Sequence, residues 1–170
     1  MKEIKIKEGI FAKVDDEDYD FLNSFNWYLT SSGYAYRQVR IGKRQYNKRR
    51  NIFMSKVILN CPVGFVVDHK DRDRLNNQKS NLRIATVEQN NRNKGKVQGT
   101  ISKYIGVTIG RNNKYVASIT YKKKKYYFGT NHLTDLEAAI AYNKGVLKFN
   151  DKFISLNTQE DVLIRLKNLI

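Results

Sequence analysis

The stretch Val66-Val67-Asp68-His69-Lys70-Asp71, continued by Asn76-Asn77, Asn81-Leu82-Arg83-Ile84-Ala85, Thr86-Val87-Glu88-Gln89 and Asn90-Asn91, decides the reading of this chain. Val66 and Val67 form an apolar strand that delivers Asp68 and His69 to its end. The segment after it holds too much Asn, Asp, Lys and Arg to be core and reads as a loop. Leu82 to Ala85 reads as the return strand. Thr86-x-x-Gln89 is a capping-box pattern, which predicts a helix start there and puts Asn90 in its first turns. The result is a strand-loop-strand-helix unit in which Asp68, His69 and Asn90 can converge.

Such a convergence has a chemical use. Phosphodiester hydrolysis needs an activated water, neutralised phosphate charge and help for the leaving oxygen. A neutral imidazole removes a proton from water near neutral pH. A hard cation such as Mg²⁺ takes oxygen ligands, which a carboxylate and an Asn carbonyl supply. A lone Asp-His is usually a turn with a satisfied imidazole. It is the ordered set, from Asp-His through Asn-Leu-Arg to an Asn on a helix, that points to this chemistry.

These residues, across 66–93, resemble the HNH endonucleases, especially the phage and intron-encoded homing enzymes with an Asp-His pair and a final Asn. The resemblance implies a ββα-metal core. It implies His69 as general base, Asn81 as the residue orienting its loop, and Asp68 and Asn90 as ligands of Mg²⁺ or Mn²⁺. Arg83 and Lys56 are candidates for phosphate contact. Relatives often carry a His-Arg pair on the preceding helix, where this chain has Met54-Ser55-Lys56-Val57-Ile58.

Upstream, Ile4, Ile6, Ile10 and Phe11 among charges predict small-sheet strands. Asp15-Asp16-Glu17-Asp18 before Tyr19, Phe21, Leu22 and Phe25 predicts a short capped helix. Trp27 to Leu29 and Tyr34 to Arg37 read as strands around a Ser31-Ser32-Gly33 turn, and Lys43 to Arg50 as a basic loop suited to gripping phosphate. Over 170 residues, 32 Lys+Arg against 16 Asp+Glu give a net charge of +16, so the expected partner is polyanionic. The single cysteine, Cys61, excludes a disulfide framework and a Cys-pair zinc knuckle. No signal peptide or bilayer-length apolar run is legible, so the expected setting is cytoplasmic, without a membrane, for an enzyme encoded by a phage or mobile element in a bacterial host.

Downstream, Tyr104 to Ile109 and Lys114 to Tyr121 predict strands joined by Arg111-Asn112-Asn113, with Lys125 to Gly129 as a third. Thr134-x-x-Glu137 is a second capping box, and Ala138, Ala139, Ala141 and Leu147 suit a helix lying close to a sheet. Tyr104-Ile105-Gly106-Val107, Tyr115-Val116-Ala117, Phe128-Gly129-Thr130 and Glu137-Ala138-Ala139 resemble the ethylene-response-factor (APETALA-two) domain. That likeness implies a three-stranded antiparallel sheet on one helix, the sheet face laid in the major groove. Thr108, Arg111, Asn112, Ser118, Thr120, Lys122, Lys124, Lys125 and Tyr127 are the contact candidates.

The expected fold class is therefore α+β. An endonuclease domain spans 1–93 with its core at 63–93, followed by a linker at 94–103, a DNA-binding domain at 104–157 and a terminal helix at 158–170. The expected activity is metal-dependent cutting of double-stranded DNA by a monomer or homodimer. The alternative is a DNA-binding regulator with an inactive core, and an RNA-binding protein is a third reading.

Overall fold

The structure is a computed structural model that describes residues 1–42, 48–93, 95 and 101–167. Most of the expected linker, 43–47 of the expected basic loop and 168–170 of the terminal helix lie outside the described residues. The chain divides into two compact units, Met1–Asn91 and Arg92–Ile170.

The first unit opens with an antiparallel hairpin, β1 (Lys2–Lys7) on β2 (Ile10–Val14). Alternation sends Ile4, Ala12 and Val14 inward, where they meet Leu22, Trp27, Ala35 and Met54 in one core. Helix α1 (Asp16–Asn23) follows, with Asp16, Glu17 and Asp18 in its first turn beside the partial positive charge of the helix start. The side chain of its N-cap Asp15 makes no capping bond, unlike the expected capped start, and only the Asp15 carbonyl accepts from the Asp18 N–H (3.1 Å). The Asp15 carboxylate instead accepts from the Lys79 N–H (2.8 Å) and from Gln78 Nε2 (3.1 Å), far along the chain.

Strands β3 (Tyr28–Leu29), β4 (Ala35–Arg40) and β5 (Arg49–Phe53) form a sheet in that order. Arg49 and Arg50 thus belong to a strand and not to the basic loop expected from their charge; pairing with β4 overrides a weak intrinsic strand preference. A short helix, α2 (Met54–Ile58), leads to the hairpin β6 (Val66–His69) and β7 (Leu82–Ala85). Helix α3 (Val87–Arg92) starts on the expected box: the Gln89 N–H donates to Thr86 Oγ1 (3.1 Å) and the Thr86 N–H to Gln89 Oε1 (2.8 Å).

The second unit holds a three-stranded antiparallel sheet, β8 (Val107–Ile109), β9 (Tyr115–Tyr121) and β10 (Lys124–Tyr127), with β9 central. Helix α4 (Asp135–Leu147) covers one face with Ala138, Ala139, Tyr142 and Val146, over Val107 and Ala117. Leu147, expected on the sheet side, is exposed. The first strand begins at Val107 and not Tyr104, because Gly106 turns the chain at positive φ and Tyr104 is buried with its hydroxyl donating to Asp161. Asn157, fully buried, ties α4 to this segment. Its N–H donates to Asn143 Oδ1 (2.9 Å), and its side chain pairs with both main-chain groups of Ile105 (2.7 and 3.1 Å). Helix α5 (Glu160–Lys167) inserts Val162 into the same core.

Lys122 and Lys123 form the two-residue turn between β9 and β10, at φ 48° and 65°. Both central positions of such a turn need positive φ, which favours Asn-Gly. Replacing Lys122-Lys123 with Asn-Gly should raise stability by about 1–2 kcal/mol, read from urea midpoints. An unchanged midpoint would show that the lysines sit there without strain.

Candidate active site

Asp68 and His69 end β6, and register sets Asp68 opposite Arg83 and His69 opposite Leu82. Asp68 is 2% exposed, and its Oδ2 accepts from Arg83 Nε at 2.7 Å. Breaking such a buried pair costs about 3–5 kcal/mol, so Arg83 holds Asp68 in place. Consecutive strand residues point to opposite sides, and His69 accordingly finds other neighbours. Its ring lies 5.8 Å from that of Tyr34, with 5% of the residue exposed.

His69 Nε2 lies 3.3 Å from Asn77 Oδ1. The Asn77 amide is oriented by its Nδ2, which donates to the Leu75 carbonyl (3.2 Å), so the oxygen faces the imidazole and accepts. Nε2 therefore carries the hydrogen and Nδ1 is the basic nitrogen. Burial pushes the His69 pKa below its usual 6.5, against the opposing pull of the Asn77 bond and of Asp71, Asp68 and Asp73. At neutral pH the ring is in its base form.

That shift has a stability consequence with a definite sign. The unfolded chain binds the His69 proton more readily, so stability falls as pH drops below about 6.5 and on through the lower folded value. Urea unfolding in chelator should give midpoints that fall from about pH 7 to about pH 5.5. His69→Gln should flatten that slope, and a flat wild-type profile would contradict the burial argument.

Asn81 closes the loop as a staple. Its Oδ1 accepts from the Asp71 N–H (3.0 Å), its Nδ2 donates to the Asn76 carbonyl (2.8 Å), and its own carbonyl accepts from the Lys70 N–H (3.0 Å). The loop is also fastened from outside. The Asn77 N–H donates to the Lys13 carbonyl and the Lys13 N–H to the Leu75 carbonyl, both at 2.8 Å. Arg74 lies 4.9 Å over the Tyr34 ring and donates to the Ser32 carbonyl.

Asn90, half-buried on α3, lines an open pocket of about 230 Å³ with Tyr34, Ser55, Lys56, Val66 and Val67. Lys56 donates to the Phe65 carbonyl at 3.0 Å, which fixes its ammonium at the pocket wall. Asn77, Tyr34, Arg74 and Asp15 were not singled out as site residues from sequence. Only Asn77 carried a signal, as a second Asn in the polar loop.

In the second unit, register places Thr108, Ser118, Thr120, Lys125 and Tyr127 on the sheet face away from α4, together with Val116. Lys124 alternates to the other side, its ammonium 5.5 Å from the Tyr126 ring. Arg111 and Asn112 are exposed in the 3₁₀ turn between β8 and β9, and Lys122 in the next turn. Among the described residues no group of three or more His, Cys, Asp or Glu is arranged to hold a metal, and no described helix is long and apolar enough to cross a membrane.

A sequence profile of HNH endonucleases matches residues 60–92, the segment that contains β6, its loop, β7 and α3. Over 136 residues the chain is 35% identical to an uncharacterised HNH endonuclease of Acanthamoeba polyphaga mimivirus, across 80% of this chain and 68% of the viral protein. The chain belongs to the HNH endonuclease family, a class of nucleases. No solved structure matches it, and the comparisons lend no support to the ethylene-response-factor resemblance of the second unit.

Proposed function

We propose that this chain is a metal-dependent endonuclease of the homing type that hydrolyses double-stranded DNA with His69 as general base. The observation that carries the reading is the His69–Asn77 contact, which leaves Nδ1 as the basic nitrogen of an imidazole kept neutral by burial. His69 takes a proton from water as the water oxygen bonds to phosphorus, and the leaving sugar oxygen departs with the bonding electron pair and takes a proton from solvent. Asn81 holds the loop that carries this geometry, and Arg83 holds the Asp68 carboxylate.

Asp68 and Asn90 would be the metal ligands. A buried carboxylate and a pocket-wall amide are oxygen donors only, which suits Mg²⁺ or Mn²⁺ and not a soft-ligand metal. When bound, the cation would supply charge neutralisation at the phosphate. With so few protein ligands, water and phosphate would complete the shell. Lys56, at the wall of the same pocket, suits a phosphate contact.

The second unit would hold the duplex through an ethylene-response-factor-like sheet face carrying Thr108, Ser118, Thr120, Lys125 and Tyr127. Arg111, Asn112 and Lys122 would reach phosphates from the turns, and Lys124 from the hairpin tip. Tethering such a face to the nuclease raises effective concentration at the cut site. One catalytic unit per chain suits nicking by a monomer or double-strand cutting by a homodimer. The experiment is plasmid digestion with Mg²⁺, Mn²⁺ or chelator, followed by sequencing of the ends. Metal-dependent cutting is expected. Tight duplex binding without any cutting would favour a DNA-binding regulator with an inactive core.

A further inference from the structure

We propose that the β4–β5 ribbon of the nuclease unit is a second DNA-reading surface, which enters the major groove and contacts base edges through Gln38, Arg40, Arg49 and Asn51. The proposal rests on the reading that the substrate is duplex DNA. Ala35 is 3% exposed in the core, so strand alternation turns Tyr36, Gln38 and Arg40 to the outer face. Register brings Asn51 opposite Gln38 and Arg49 opposite Arg40 on that same face. All four side chains are exposed.

They are also ordered with respect to one another. Gln38 Nε2 donates to Asn51 Oδ1 at 3.4 Å, and Arg49 Nη1 donates to Gln38 Oε1 at 3.3 Å. Neither strand carries an acidic residue, while Arg37, Arg40, Arg49 and Arg50 all lie on them. That charge fits a polyanion and repels an acidic-poor, basic partner.

Gripping phosphates alone would not call for the amides. Neutral Gln and Asn release no counterions, so they add nothing to the salt-dependent part of the affinity. Their chemistry is a paired donor and acceptor that fits the adenine edge, as the Arg fork fits guanine, and a two-stranded ribbon is narrow enough for the major groove. The Gln38–Asn51 and Arg40–Arg49 pairs lie two positions apart, about 7 Å along the ribbon, which matches about two base-pair steps.

The test selects bound duplexes from a random pool with the full chain, in chelator and at fixed salt, so that cutting is not read. Wild type should enrich a preferred core of about three base pairs beyond any contributed by the second unit. Gln38→Ala with Asn51→Ala should erase that core and change affinity for random duplex less than about threefold. Arg40→Ala with Arg49→Ala should relax the sequence preference at the base pairs they read and weaken binding to the selected core about tenfold or more. A double amide variant that enriches the same sequence as wild type overturns the proposal, as does loss of the core on Ser118→Ala with Tyr127→Ala instead. Absence of duplex binding by wild type would overturn the DNA reading itself.

Discussion

His69→Ala should lower the rate of metal-dependent plasmid cleavage by about 10²- to 10⁴-fold while duplex affinity in chelator stays at the wild-type value. Removing the imidazole removes the proton acceptor and leaves Asn77 Oδ1, on a residue 2% exposed, without its ring partner. That vacancy costs stability of about 1–3 kcal/mol, so a second variant is needed to separate chemistry from folding. His69→Gln can still donate to Asn77 but is no base, and it should be as inactive as the alanine. Asn81→Ala should act differently, since it loosens the loop through Asp71 and Asn76 and lowers both stability and rate. Wild-type cleavage by either His69 variant would remove His69 from the chemistry.

Gly106→Ala should have the largest effect on the second unit. Gly106 sits at φ +73°, and an added Cβ would lie 2.1 Å from Tyr142 Cε2 and 2.9 Å from the Ser118 carbonyl oxygen. Neither neighbour can yield easily: Tyr142 is 3% exposed in the core, and Ser118 donates its N–H back to the Gly106 carbonyl (2.9 Å). The backbone term is about 1–2 kcal/mol and overpacking adds about 1–3 kcal/mol. Gly64→Ala supplies the comparison, because φ is +88° there but nothing lies within 4 Å, so only the backbone term applies. Hydrogen exchange should show faster opening of β8 and β9 in Gly106→Ala, with β6 and β7 unaffected. Equal losses in the two variants would mean that Tyr142 moves aside at no cost.

How legible each part was depends on how local its cause is. The Thr86–Gln89 box forms in full and the Thr134 cap forms at the Glu137 N–H, because each partner lies within one turn. The Glu137 carboxylate departs slightly, accepting from the Leu133 N–H and not from Thr134. The outward face of the second sheet follows from strand alternation once the turns are placed. The Asp68–Arg83 pair was within reach of the sequence too, as opposite charges facing each other across a hairpin. What stayed hidden depends on distant main-chain partners. Asn77 faces His69 only because the loop folds back on itself and its N–H finds the Lys13 carbonyl. Asp15 reads as a helix cap by position, and nothing local says that its carboxylate is claimed by residues 78 and 79.

That claim by Asp15 bears on where the nuclease begins as a foldable piece. The family profile starts at residue 60, yet the loop between β6 and β7 borrows acceptors from Lys13 and Asp15 for the N–H groups of Asn77 and Lys79. A gene fragment cut to the profile would release those groups to water and free the loop that aims His69. The smallest stable fragment of this unit is therefore expected to include the β1–β2 hairpin and Asp15, and a fragment trimmed to the profile should hold the β6–β7 loop less firmly.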